Sequence, residues 1–354
     1  MVAEPTVVRL VVASMQSVNP QAVAAEFAEA VGRFGARPLI LGHFDADGLS
    51  AVAILARTLA GSEVRLVGKG ENPWSEPIRQ EVAERAPGGL IATDLGIREG
   101  EIAPGVPTVL IDHHVPTGTP GEAVVISGNG CVPEPTSALL AYWCVWAPDH
   151  LLWLAAVGLI GDMAEDAGFP ELAEAQKRYG KTALRNAVSL INAPRRTASA
   201  DATPALALLM KCNSPKELLS GQHPETAQLL AAKKEVKAEM EVARRVAPKV
   251  RGEVALIPLA SPCQIHPLVA QQWRGRLKDK VVIAANRDYR PGWVHFAART
   301  AAGHDLIDFF AQRRPDGAGT EYGSGHRQAS GGALRHEQWN EFVRELGFPE
   351  EQIA

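Results

Sequence analysis

The chain has 354 residues, with 40 acidic against 36 basic side chains and a formal net charge of −4. A domain that coats nucleic acid is usually basic as a whole, so this balance excludes that class and confines any phosphate contact to local sites. Hydrophobic residues make up 46% of the chain and aromatics 6%, with 32 glycines. At roughly 100–200 residues per domain, two α/β domains are expected.

The four cysteines, Cys131, Cys144, Cys212 and Cys263, are scattered and form no C-x-x-C pair. That argues against a zinc knuckle or a redox motif and suits a reducing cytoplasm. The apolar run from Val7 to Ala13 contains Arg9, is too short to span a bilayer and lacks a signal-peptide layout. A soluble, cytoplasmic protein with no membrane partner is expected.

In chain order, residues 21–34 have helical spacing, and Leu39 to Gly42 reads as a buried strand. A loop from His43 to Gly48 follows, then a helix over 49–59. Glu63 to Val67 is a strand, 79–85 a helix, Leu90 to Ala92 a strand ending at Asp94, and Thr108 to Ile111 a strand ending at Asp112. Strands alternating with helices predict a parallel sheet with right-handed crossovers. Three of these strands run into acidic residues at their carboxyl ends, where open parallel sheets bind ligands. Pro135-Thr136-Ser137 opens a helix, with Thr136 or Ser137 as cap. A second apolar helix over 151–160 leads to Gly161-Asp162. Residues 171–230 are mostly helical, and 225–247 reads as one long helix. Strands over 254–259, 281–285 and 293–298 mark a smaller α/β domain. The expected division is a catalytic domain with helical extension over 1–224, a connector over 225–251, and a second domain over 252–354.

His43-Phe44-Asp45-Ala46-Asp47-Gly48 sets three metal-ligand types at alternate positions. In an extended loop, alternation points them the same way. Asp112-His113-His114 places two imidazoles directly after a strand, and buried imidazoles need partners. Each of these, like Asp94 and Asp162 alone, could be a cap or turn. Their shared position at strand ends makes a common cation site the stronger reading.

The chain resembles the DHH phosphoesterases, which include RecJ nucleases, nanoRNases, cyclic-dinucleotide phosphodiesterases and inorganic pyrophosphatases. The resemblance rests on His43-x-Asp45-x-Asp47-Gly48, Asp94, Asp112-His113-His114 and Gly161-Asp162. It continues in Gly323-Ser324-Gly325-His326-Arg327-Gln328-Ala329-Ser330-Gly331, similar to the G-G-G-H-x-x-A-A-G motif of the DHH-associated domain. Ser324 stands for a glycine there and Ser330 for an alanine. The resemblance implies that His43, Asp45 and Asp94 hold one divalent cation, and that Asp47, Asp94, His113 and Asp162 hold a second, with Asp94 bridging. Mixed imidazole and carboxylate donors suit manganese, with magnesium as the alternative. Asp112 is expected to orient His113, and His114 to meet the substrate phosphate. Arg299, Gly323, Ser324, Gly325 and His326 are expected to grip that phosphate in a glycine-rich turn, from the far side of an interdomain cleft.

The implied activity is two-metal hydrolysis of a phosphodiester. Gly158-Leu159-Ile160-Gly161-Asp162-Met163 and the long helical segment resemble the RecJ branch. The chain ends 22 residues after Gly332, just past the glycine motif, without the OB-fold that grips single strands in full RecJ nucleases. A minimal exonuclease on single-stranded DNA or short oligonucleotides, acting 5′ to 3′, is therefore expected. A nanoRNase or cyclic-dinucleotide phosphodiesterase is the alternative. A non-catalytic replication scaffold is a further one, disfavoured because all six ligand positions are filled. Basic residues that could follow a strand include Arg195, Arg196, Lys233, Lys234, Lys237, Arg244 and Arg245. The resemblance leaves monomer and homodimer both open.

Overall fold

The computed structural model describes residues 18–319 and 322–353, so the apolar run at 7–13 lies outside the described residues. The chain divides into two compact units, one of residues 1–195 with 200–231 and one of 196–199 with 232–354.

The first unit holds a five-stranded sheet of β1 (Leu39–His43), β2 (Glu63–Val67), β3 (Leu90–Thr93), β4 (Thr108–Asp112) and β5 (Val124–Ser127). Its order is β2-β1-β3-β4-β5 and every pairing is parallel. Four strands follow the sequence reading; β5 was not foreseen. Side chains alternate across each strand. Ile40, Ile91, Val109, Ile111 and Ile126 face one core, and Leu39, Leu41, Leu90, Leu110 and Val125 face another. Burial on both faces explains the near-continuous apolar runs.

The helices of this unit are α1 (Pro20–Val31), α2 (Ala46–Thr58), α3 (Glu76–Arg85), α4 (Ser137–Cys144), α5 (Leu152–Gly161), α6 (Pro170–Tyr179), α7 (Lys181–Ile191), α8 (Thr203–Lys211) and α9 (Pro215–Leu219). Helix α2 packs against α4, α5 and α8, and residues 46–55 and 152–160 are buried throughout. A helix that is apolar on all sides is a core helix. Here α2 and α5 bring the segments flanking Asp45, Asp47 and Asp162 into the interior.

Helix α10 (Pro224–Ala243) carries the chain from the first unit into the second. The second unit holds β6 (Lys249–Arg251), β7 (Val254–Leu259), α11 (His266–Arg274), β8 (Val281–Arg290), β9 (Trp293–Thr300), α12 (Leu306–Ala311), β10 (Ser324–His326), β11 (Ala329–Arg335) and α13 (His336–Glu345). The sheet order is β10-β11-β9-β8-β7-β6, with β7 and β8 parallel and the other pairs antiparallel. Phe296, Phe310 and Phe342 stack in the core on one face.

The glycine-rich segment corrects an expectation. It forms a hairpin rather than a turn, with Ser324 opposite Gly331 and His326 opposite Ala329. A Cβ on Gly331 would lie 2.5 Å from the Phe296 carbonyl oxygen, and one on Gly325, at φ +126°, would lie 2.5 Å from that of Ala329. Close strand approach therefore accounts for these two glycines. Among the described residues, no helix is long and apolar enough to cross a membrane.

Candidate metal centre

The site is built at the carboxyl ends of β1, β3 and β4. His43 closes β1. The next residues do not form the extended loop expected from sequence. Asp45 is the N-cap of α2, its carboxylate accepting from Gly48 N at 3.1 Å, and Asp47 and Gly48 lie in the first helical turn. A carboxylate at a helix start satisfies N–H groups that have no intrahelical partner. The cap reading and the ligand reading of Asp45 thus describe the same residue.

Asp94 follows β3 with φ +61°, a left-handed conformation that non-glycine residues seldom adopt. Its two oxygens face different neighbours. Oδ2 lies 3.4 Å from His43 Nδ1, and Oδ1 lies 3.7 Å from His113 Nε2. Ser137 Oγ donates to Oδ1 at 3.1 Å. Asp47 is fully buried, and its carboxylate accepts from Ser137 N at 2.8 Å and Ala138 N at 3.0 Å. The start of α4 therefore holds Asp47 through backbone amides and Asp94 through the Ser137 hydroxyl. The α4 N-cap residue, Thr136, makes no side-chain cap bond.

His113 Nε2 lies 3.0 Å from Asp162 Oδ2 and 3.8 Å from Asp47 Oδ2. It is buried without an aligned hydrogen bond. Donor atoms of His43, Asp45 and Asp94 lie within 4.8 Å of one another, and so do those of Asp47, His113 and Asp162. The structure brings all six sequence-predicted ligands together in two sets, with Asp94 facing both.

Asp112 does not orient His113, as the sequence reading expected. Its Oδ1 accepts from His114 N at 2.8 Å and pairs with His114 Nδ1 at 2.9 Å, while Oδ2 accepts from Gly96 N at 2.7 Å. A carboxylate beginning its own turn reaches two residues ahead, so Asp112 serves His114. The partner of His113 Nδ1 is Glu134 Oε1 at 3.5 Å. Glu134 sits in Pro133-Glu134-Pro135, which reads in sequence only as the approach to a helix. Asn192 and Arg195 complete the site beside Asp45. Asn192 Oδ1 accepts from Ala46 N and from Arg195 Nε, both at 3.0 Å, and Arg195 Nη2 lies 3.8 Å from Asp45 Oδ2. Sequence marked Arg195 as basic but gave no link to Asp45.

The electrostatics describe a site short of positive charge. Burial pushes Asp47 well above the usual carboxylate range, as do the charges of Asp94 and Asp162. Burial and Asp45 push Asp94 up to about 6. Burial opposes charge on the histidines, but neighbouring carboxylates outweigh it. His43 rises to about 10 beside Asp45 and Asp94, and His113 to about 12 beside Asp162 and Glu134. Asp45 is held low against its own burial by His43 and Arg195. Clustered carboxylates with imidazoles, and a buried orphan nitrogen on His113, fit divalent cations.

In the second unit, Arg299 Nη1 donates to Ala298 O at 2.8 Å and Ser330 O at 3.4 Å, and its buried Nε has no hydrogen-bond partner. Arg299 pairs in register with Ala329, at the base of the hairpin. His326 is exposed.

The fold and this site define the class: an α/β protein that gathers carboxylates and histidines, donors suited to divalent cations, at the carboxyl ends of a parallel sheet. No family model matches the chain. The single-stranded-DNA-specific exonuclease RecJ of Thermus thermophilus is 32% identical over 169 residues, covering 40% of this chain and 24% of that protein. The chain thus spans about a quarter of that curated relative. A crystal structure of exonuclease RecJ bound to manganese superposes with a TM-score of 0.64 at 21% identity, covering 96% of both chains. The crystal structure of RecJ from Thermus thermophilus in complex with Mn2+ gives 0.64 at 21% identity, over 97% of this chain and 56% of that one. The chain shares the fold of these RecJ structures over almost its whole length.

Proposed function

We propose that the chain is a divalent-metal-dependent exonuclease that hydrolyses single-stranded DNA or short oligonucleotides from the 5′ end. The observation that carries this reading is the pair of donor sets, His43/Asp45/Asp94 and Asp47/His113/Asp162, with one Asp94 oxygen directed to each. Manganese is the preferred cation, by donor chemistry and by the RecJ structures that hold it. When bound, the two cations supply Lewis-acid charge and activate water for in-line displacement.

The residues around them have their own tasks. Burial opposes charge on His114, but the hydrogen bond to Asp112 outweighs it and pushes the imidazole up to about 9. The His114 Nδ1–H donates to Asp112, which leaves Nε2–H to donate toward a phosphate oxygen or the departing oxygen. Glu134 fixes the ring of His113. Arg299 and His326, with the hairpin of Gly323, Ser324 and Gly325, offer cationic and backbone donors to a further phosphate.

The test uses oligonucleotides labelled at either end, with added manganese. Label should leave the 5′ end first, and Asp47→Ala and Asp94→Ala should reduce hydrolysis to background. Unchanged activity in either variant removes the mechanism, and first release from the 3′ end removes the polarity.

A further inference from the structure

A second mixed donor set lies away from the carboxylate–histidine centre, where the sequence carries no metal-binding motif. Cys212 follows α8, Glu217 lies in α9, and His223 precedes α10. The Cys212 sulfur, a Glu217 carboxylate oxygen and a His223 ring nitrogen lie within 4.8 Å of one another. His223 Nε2 is 3.4 Å from Glu217 Oε1, and Glu217 Oε2 accepts from Asn213 N at 2.8 Å. Cys212 is fully buried, whereas the Glu217 and His223 side chains keep 32% and 25% of their exposure. The group is closed behind the thiol and open to solvent in front. Arg57 anchors the closed side, donating to the carbonyl oxygens of Leu209 and Cys212 and to Asn213 Oδ1.

An independent observation concerns Glu225, in the first turn of α10. Its Oε2 is buried and has no hydrogen-bond partner. Glu225 is near enough to the Cys212 thiol and to His223 to interact with both electrostatically. Glu217 and Glu225 therefore both add negative charge to the surroundings of the buried thiol. Lys211, paired to Glu225, and Arg57 are the cations of this corner.

We propose that Cys212, Glu217 and His223 bind a thiophilic divalent cation, zinc by its ligand chemistry. Thiolate, imidazole and carboxylate are the donors that zinc takes, and three protein donors leave a fourth position for water. The thiol holds its proton in the metal-free protein, because burial and then Glu217 push it up to about 11. On binding, the S–H bond breaks, the proton passes to solvent, and a sulfur–metal bond forms. The cation ties the end of α8, α9 and the start of α10 into one corner.

The test exploits sulfur. None of the six donors of the other centre is a thiolate, so thiolate-to-cadmium charge transfer in the ultraviolet cannot come from it. The full chain is stripped with a chelator and titrated with Cd2+, then with Zn2+ in competition. One equivalent of Cd2+ should develop the band and Zn2+ should displace it. Cys212→Ser should abolish the band, while Cys131→Ser and Cys263→Ser retain it. His223→Gln, at a partly exposed position, should weaken Cd2+ binding at least tenfold. No band in the parent chain, a band surviving Cys212→Ser, or unchanged affinity in His223→Gln each overturns the proposal. Manganese-dependent hydrolysis is measured on the same samples. Hydrolysis without the band removes the zinc site alone, and the band without hydrolysis removes the exonuclease reading alone.

Discussion

Gly158 lies inside α5, where helix propensity alone favours alanine by about 1 kcal/mol. The structure predicts the opposite outcome for Gly158→Ala. A Cβ there would fall 2.2 Å from Asp47 Oδ1, 2.5 Å from Ala138 Cβ and 3.2 Å from Thr136 Oγ1. Asp47 cannot swing away freely, because Ser137 N and Ala138 N hold its carboxylate. Overpacking of this kind costs about 1–3 kcal/mol, and losing one of the two hydrogen bonds adds about 1 kcal/mol. After the propensity gain, Gly158→Ala should destabilise the chain by about 1–3 kcal/mol. Because the displaced group belongs to the proposed donor set, manganese affinity should fall at least tenfold. Urea denaturation measures the first effect. Titration with Mn2+, following the electron-spin resonance of the free ion, measures the second without reference to catalysis. A variant with the parent's denaturation midpoint and the parent's manganese affinity would show that Asp47 yields to the methyl group, and would refute the reasoning.

Glu134→Gln should lower manganese affinity by about 10–100-fold, the usual cost of losing a partner that orients a ligating histidine; calorimetric titration that finds no change would assign Glu134 to the surface. Asp112→Asn removes the charge that raises His114, so the His114 titration in the metal-stripped protein should move down from about 9, and hydrolysis should fall about a hundredfold; an unmoved resonance in a two-dimensional imidazole spectrum would contradict the Asp112–His114 pairing. His266 is 4% exposed, with a buried Nδ1 lacking a hydrogen-bond partner, and burial followed by the charges of His295, Arg299 and Arg196 pushes it well below its ordinary value. Its neutral form belongs to the folded state. Stability is therefore full above about pH 6.5, the unfolded value, and falls by up to about 1.4 kcal/mol per pH unit as pH drops toward the folded pKa. Denaturation midpoints measured across this window should fall less steeply in His266→Gln, and equal slopes would reject the assignment.

The sequence by itself determined the parallel sheet and which carboxylates and histidines gather at its carboxyl ends. Buried strands must be apolar on both faces, so β1, β3 and β4 stand out as continuous runs, and residues that follow such strands lie along one edge by topology. That places His43, Asp45, Asp94, Asp112 and His113 together without any knowledge of packing. Other features were illegible for physical reasons. Strand β5 is four residues long, as is β3, but it runs into Ser127-Gly128-Asn129, with no acidic or imidazole residue at its end to mark it. The hairpin of β10 and β11 was read as a turn, because glycine reports close backbone approach and flexible loops with the same letter.

Tertiary structure alone decided which partner each side chain takes. Asp112 is adjacent to His113 in sequence, yet local backbone geometry carries its hydrogen bonds to His114, and Glu134 takes the place beside His113. Asp47 depends on amides at 137 and 138, and on the absence of a side chain at 158. Cys212, Glu217 and His223 share no recognisable spacing, and they meet because α9 folds the chain back between α8 and α10. Hydrogen bonds and ligand sets are short-range and directional, so they are settled only when distant segments are packed to within a few ångströms. The strand-end pattern is a property of the chain's order and can be read before it folds.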